Sequence, residues 1–188
     1  MSSQGWVETL STQQGAGPTL ATFTGPTSML APQAKYTFPS DFWYVGRSLY
    51  VRGTGQVSNV VTAQPTFLFD FRLGASVQWS SGAILTSTTA HTTLPFWFEI
   101  QMTCRAIGAT ANMMVQGWVA SRAFIDLGAT ADATTIGHPW LLAPETAPAV
   151  GSNFDSNTAL QADMQCTCGT SNAGNAITLQ QYWLMSMN

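Results

Sequence analysis

Hydrophobic and polar residues alternate along most of the chain with a period of two, most clearly over residues 94–107. One face of this segment is apolar and comprises Phe96, Phe98, Ile100, Met102, Cys104 and Ala106. The other face carries Trp97, Glu99, Gln101, Thr103 and Arg105. Successive side chains of a strand point to opposite faces of its sheet, whereas the polar residues here would fall all round a helix. The pattern therefore predicts a long strand with one face in a core, as in antiparallel sheets.

The same alternation predicts further strands, about eight in all, with almost no helix signal. The other predicted strands are 49–57, 66–73, 76–79, 83–87, 112–124, 160–168 and 176–187. Gly53 and Gly55 lie inside the first of these and indicate a bulge or a close backbone approach. Gly74 and Ser81-Gly82 are predicted to turn the chain. No fixed-period repeat occurs, so the sequence predicts an all-β fold, an antiparallel β-sandwich of the jelly-roll type.

Two segments interrupt this pattern. Residues 1–35 are rich in Gly, Thr, Ser, Gln and Pro and are interpreted as an N-terminal arm, followed by a jelly-roll β domain over 36–188. The arm could pack on its own domain, reach a neighbouring subunit, or form a partly ordered terminus. Residues 127–157 lack regular patterning and predict a long loop, which is a candidate contact surface because loops of this length are uncommon unless functional.

Charged residues are scarce, at 8% of the chain against roughly 25% in typical soluble domains. This shortage favours a surface covered by partner subunits, although secreted Ser/Thr-rich β domains are also poor in charge. The net charge is −3 and no basic run occurs, which disfavours nucleic-acid binding. No apolar segment approaches the ~18 residues of a membrane span, and the start M-S-S-Q-G-W-V-E does not resemble a signal peptide. We therefore expect synthesis in a cytoplasm and no membrane partner.

The three cysteines do not predict a disulfide framework, although a bridge from Cys104 to Cys166 or Cys168 is conceivable. A metal site could combine His91 or His138 with Cys166 and Cys168, but this spacing matches no standard zinc pattern. Buried packing of the free thiols is the better interpretation. We predict no metal and no cofactor.

The sequence also lacks the usual signatures of catalysis. It contains no G-x-S-x-G element and no phosphate-binding or dinucleotide-binding loop. The acidic residues are scattered, and Asp70, Glu99 and Asp163 fall on polar strand faces rather than in an opposed pair. We expect the protein not to be an enzyme.

Seven tryptophans are many for 188 residues. Trp97 and Trp118 lie on the polar faces of their strands, while Trp6, Trp43 and Trp140 occur in arm or loop contexts. Such residues could form a carbohydrate platform, subunit-interface anchors, or a second core. Because charge is so depleted, we favour subunit burial and take these five tryptophans as candidate interface residues.

Several segments resemble a family of tailed-bacteriophage virion proteins, found in phages of actinobacteria among others. They are W-V-E-T-L, L-A-P-Q-A-K-Y-T-F-P-S, V-G-R-S-L-Y-V-R-G-T-G-Q-V-S, E-I-Q-M-T-C-R-A-I-G, A-P-A-V-G-S-N-F-D-S and N-A-G-N-A-I-T-L-Q-Q-Y-W-L. The resemblance runs from Trp6 to Leu184 and implies a jelly-roll subunit that decorates a capsid or belongs to the tail apparatus. It supplies no catalytic motif.

The resulting expectation is a capsid decoration (cement) protein, made in the host cytoplasm and located on the virion's capsid surface. It would be a homotrimer bound to the major capsid protein on the outside of the icosahedral head, where added buried area stabilises the shell. The alternative is a tail-tip or head-fibre module that binds host-surface glycan through exposed aromatic residues.

Overall fold

Two antiparallel sheets face each other across one hydrophobic core. The computed structural model describes residues 6–127, 140–144 and 148–187. Its strands there are β1 (Val7–Thr12), β2 (Leu20–Ala21), β3 (Thr27–Ser28), β4 (Thr37–Phe38), β5 (Ser48–Asn59), β6 (Thr66–Leu73), β7 (Ser76–Thr86), β8 (His91–Ala106), β9 (Asn112–Ser121), β10 (Phe124–Leu127), β11 (Trp140–Ala143), β12 (Ala149–Val150), β13 (Leu160–Cys168) and β14 (Ala176–Met187). Two 3-10 helices, η1 (Pro32–Ala34) and η2 (Val61–Ala63), complete the described elements.

The larger sheet has the order β1-β14-β5-β8-β9-β11, with β2 paired to β14 and β12 to β9. The smaller sheet has the order β10-β7-β6-β13-β3, with β4 paired to β13. The four strands β1-β14-β5-β8 face the four strands β3-β13-β6-β7. Apart from the β6–β7 hairpin, successive strands among these eight alternate between the two sheets, as in two Greek keys. This is jelly-roll connectivity, so the predicted fold class is confirmed.

The long strand β8 occupies the centre of the larger sheet, between β5 and β9. Of its predicted inner residues, Phe96, Phe98, Ile100, Met102 and Cys104 are exposed by 2% or less. Ala106, which follows a register shift, is half-buried. The alternation in the sequence therefore reports the two faces of this strand correctly.

Glycines in β5 let the aromatic core approach its backbone. A Cβ on Gly53 would lie 2.4 Å from Cζ of Phe98, and one on Gly55 would lie 2.5 Å from Cε1 of Phe96. The predicted close approach is confirmed. A register shift also occurs in β14 between Leu179 and Gln181, opposite this part of β5.

Two predicted strand boundaries are wrong. The chain does not reverse at Gly82, because β7 is continuous and Gly82 (φ +73°) lies in a bulge between the pairs Leu68–Ala83 and Asp70–Ser80. The predicted strand 112–124 is two strands. β9 ends at Ser121, and β10 begins at Phe124 and joins the other sheet.

The described part of the segment interpreted as an arm, residues 6–35, packs on its own domain. It supplies β1 and β2 to the larger sheet and β3 to the smaller one. Met29 and Ala34 are fully buried in the shared core. Asp163 on β13 holds this segment in place, because it accepts a hydrogen bond from Ser28 (2.6 Å) and pairs with the Lys35 ammonium (3.1 Å).

Part of the predicted 127–157 loop is strand. β11 pairs with β9 along 140–143, and β12 pairs with β9 at 149–150. Residues 128–139 and 145–147 lie outside the described residues. The pairing of β11 with β9 fixes the position of Trp140, the first residue of β11.

Candidate functional site

Three tryptophans from adjacent strands meet on the outer face of the larger sheet. In the strand register, Ala120 on β9 lies between Trp97 on β8 and Trp140 on β11. Trp118 on β9 lies two residues earlier, beside Glu99. The ring centroids are 4.8 Å apart for Trp97–Trp118, 4.5 Å for Trp118–Trp140 and 5.9 Å for Trp97–Trp140. We call these three residues the tryptophan cluster.

The cluster is rigidly supported yet open to solvent. Trp97 and Trp118 are half-buried, and Trp140 is 57% exposed. All three belong to strands rather than to free loops, so their backbone positions are set by the sheet. The arrangement presents a fixed aromatic surface to anything that approaches this face.

The charges behind the cluster compensate one another. The Arg52 guanidinium lies 4.4 Å from the centroid of the Trp97 ring, in a cation–π contact, and its Nε is 3.7 Å from Oε1 of Glu99. Burial, followed by a hydrogen bond to Glu99 and the negative charge of that carboxylate, raises the pKa of Tyr50 to about 12. Glu99 is thus shared by one arginine and one tyrosine, and this part of the face carries no net charge.

A groove of about 630 Å³ runs beside the cluster. Trp97 and Trp140 form an aromatic side of the groove. The polar residues of its lining include Gln56, Gln180, Gln181 and Arg122. Thr54, also in the lining, donates a hydrogen bond from its Oγ1 to Oε1 of Gln181 (3.3 Å), which orients that amide. Amides both donate and accept hydrogen bonds, so the groove suits a ligand that has an apolar face and several hydroxyl groups.

A smaller cavity of about 150 Å³ lies on the other side of Trp118, lined in part by Gln101, Gln116 and Leu142. Leu142 is 67% exposed. The tryptophan cluster is therefore accessible from two sides of the same face.

The remaining predicted tryptophans lie apart from this cluster. Trp43 is only 6% exposed and packs against Phe38, Phe42 and Phe154 at centroid distances of 4.9 to 5.1 Å. It lies in the core and offers little surface to a partner. Trp6, just before β1, is 67% exposed.

Sequence reasoning did not identify the polar residues of the groove. The alternation in β5 could have placed Arg52, Thr54 and Gln56 on the outer face. Gln180 and Gln181 are consecutive, and both line the groove because β14 is bulged there. No period-two pattern predicts this.

The described cysteines and His91 form no comparable site. Cys104, Cys166 and Cys168 are free and exposed by 1% or less, which confirms the predicted packing. Burial raises the pKa of all three thiols, most strongly for Cys166. Within the described ranges, no group of three His, Cys, Asp or Glu residues could hold a metal ion, and no helix could span a membrane. His138 lies outside those ranges.

No protein-family model and no curated protein matches this sequence. Among solved structures, the chain is similar to the CBM2 module of Lactobacillus casei BL23 phage J-1 evolved Dit. The match has 11% sequence identity, covers 99% of this chain and 98% of that one, and has a TM-score of 0.39. A likeness this distant carries no argument about the site.

Proposed function

We propose that the tryptophan cluster and its groove bind carbohydrate, and that the protein is a tailed-bacteriophage virion component that contacts a glycan of the host surface. The observation that carries the proposal is the meeting of Trp97, Trp118 and Trp140 beside a mainly apolar groove whose lining includes three glutamines. Many sugar rings present apolar C–H groups on one face and hydroxyl groups around the edge. An indole can cover the apolar C–H face, and glutamine amides can form hydrogen bonds with the hydroxyl groups.

The tryptophans of the cluster are held by their strands and neighbours, and this restricted freedom favours a role in ligand binding. Ordering a flexible side chain at an interface costs about 0.5–1.5 kcal/mol, and the half-buried Trp97 and Trp118 have already lost much of that freedom. The Arg52–Glu99 pair fixes the position of Trp97 without leaving a free charge beneath the ligand.

The virion setting is supported by the sequence segments between Trp6 and Leu184 that resemble tailed-phage virion proteins. A module of this kind would sit at a tail tip or a head fibre, where it would hold the particle on the cell surface.

Capsid decoration is the second candidate, and it is favoured by the scarcity of charge. Trp6 and Val7 are each 67% exposed at the start of β1. In a homotrimer seated on the major capsid protein, these residues would be buried, and each Å² of apolar surface removed from water would stabilise the assembly by roughly 25 cal/mol. This surface is distinct from the tryptophan cluster, so the two functions can be tested separately.

The test compares Trp140→Ala with Trp6→Ala, which removes the same side chain from a position that is somewhat more exposed. Both intact variants are applied to immobilised bacterial polysaccharides and to purified heads lacking this protein. We expect Trp140→Ala to weaken polysaccharide binding at least about tenfold, as truncation of a central aromatic anchor does, and Trp6→Ala to bind like the wild type. Wild-type protein that binds no polysaccharide, combined with a loss of head binding in Trp6→Ala, would refute the carbohydrate proposal and support decoration.

A further inference from the structure

Arg122 is a cation that lines the groove and has no partner among the described residues. It lies between β9 and β10, is exposed, and lines the groove together with Trp97 and Trp140. It makes no hydrogen bond or ion pair with any part of the chain that the structure describes. Arg52, which stacks on the Trp97 ring, is already paired with Glu99.

The turn that carries Arg122 is fixed on both sides. Oγ of Ser121 donates to the carbonyl oxygen of Pro95 (2.9 Å) and accepts from the N–H of Ala123 (3.1 Å). Ala123 is fully buried, and its carbonyl accepts a hydrogen bond from the N–H of Ser87 (2.7 Å). The guanidinium is therefore attached to a rigid point of the groove wall.

No acidic residue occurs among the described residues that line the groove, so Arg122 gives this lining a net positive charge. We propose that the groove takes an acidic saccharide and that Arg122 pairs with its carboxylate, an inference that rests on the carbohydrate-binding function proposed above. The fork of a guanidinium matches the two oxygens of a carboxylate, and their single charges cancel. The phosphodiesters of a teichoic acid also carry one negative charge each, so they are the competing anion that the experiment has to separate from a carboxylate.

The experiment is calorimetric titration of the full chain with three uronic-acid hexasaccharides (oligogalacturonate, alginate and hyaluronan fragments) and with their methyl esters. The esters keep the sugar rings but remove the charge. Arg122→Gln removes the proposed partner, and Arg105→Gln, an exposed arginine near the other end of β8, controls for net charge. Glycerol teichoic acid is the phosphate-bearing comparison.

We expect the wild type and Arg105→Gln to bind at least one acid form roughly five to ten times more tightly than its ester. Arg122→Gln should bind both forms equally, and added salt should reduce the wild-type preference. Three results would overturn the carboxylate assignment while leaving carbohydrate binding intact. They are equal binding of acid and ester by the wild type, an undiminished preference for the acid in Arg122→Gln, and tighter binding of teichoic acid than of any uronic-acid saccharide. Failure of the wild type to bind any saccharide, neutral ones included, would overturn both proposals.

Discussion

Replacing Gly53 by alanine tests the close packing that holds β5 beneath the groove. Gly53 lies between Arg52 and Thr54, whose side chains are on the outer face, and its inner side meets the ring of Phe98. An added Cβ would lie 2.4 Å from Cζ and 2.5 Å from Cε1 of that ring, and 3.0 Å from Cδ1 of Leu179. Ordinary contacts begin near 3.4 Å, so the ring or the strand must move by about 1 Å.

The expected loss of stability is about 2 kcal/mol. Phe98 is fully buried and packs beside Phe69 and Phe96, so it has little room to move. Overpacking a well-filled core costs about 1–3 kcal/mol, and contacts as short as 2.4 Å place this substitution near the upper end of that range. Alanine also has less conformational freedom than glycine in the unfolded chain. This difference stabilises the folded state by roughly 0.4–1 kcal/mol and so reduces the net loss of stability. For a chain of this size, the loss corresponds to a decrease in melting temperature of about 4–8 °C.

Chemical and thermal unfolding measure this effect, with Gly25→Ala as the matched control. A Cβ on Gly25 would meet nothing within 4 Å, so this variant should be as stable as the wild type or slightly more so. Phe98→Leu should cost less in the Gly53→Ala background than in the wild type, because the smaller side chain relieves the clash. Equal stability of Gly53→Ala and Gly25→Ala would refute the close-packing argument.

Two further predictions concern titration and the N-terminal segment. Tyr50 should ionise near pH 12 in an absorbance titration, and comparison with Tyr50→Phe identifies its signal. The folded protein holds the phenol proton more tightly than the unfolded chain does. The resulting contribution to stability is therefore complete below about pH 10 and is lost as the pH rises through 12. Glu99→Gln should lower that pKa only partly, since burial is its larger cause, and an unchanged midpoint would contradict the assigned hydrogen bond. Asp163→Asn should destabilise the protein by about 1–2 kcal/mol and speed proteolysis before residue 36, because it leaves the Lys35 ammonium unpaired. The exposed Asp41→Asn is the control, and equal proteolysis of the two variants would contradict this role.

The faces of the long strands could be predicted from the sequence because burial in a two-sheet sandwich imposes a period of two. Phe96, Phe98 and Met102 show this directly. Features that depend on a single backbone angle could not be predicted in the same way. Gly82 was read as a turn, although the same positive φ also allows a bulge within a continuous strand. The edge strands β11 and β12, with four and two residues, are too short to give a pattern.

The candidate site was only partly predictable for a related reason. Alternation places Trp97 and Trp118 on an outer face, but it does not state which residues of neighbouring strands lie side by side. The register of β11 on β9 brings Trp140 to the other two tryptophans. Trp43 is a candidate interface residue from the sequence because it lies in a loop. Its side chain instead fills a gap in the core between Phe38 and Phe154.

The central claim is that saccharide binds at the tryptophan cluster, and indole N–H signals in nuclear magnetic resonance test it most directly. Isotope-labelled protein is titrated with a panel of bacterial cell-wall oligosaccharides, and single-tryptophan substitutions assign the seven signals. The account predicts saturable shifts of the signals of Trp97, Trp118 and Trp140, with those of Trp6 and Trp43 unchanged. Saturable shifts confined to Trp6, or no shift at any of the three cluster residues, would contradict it.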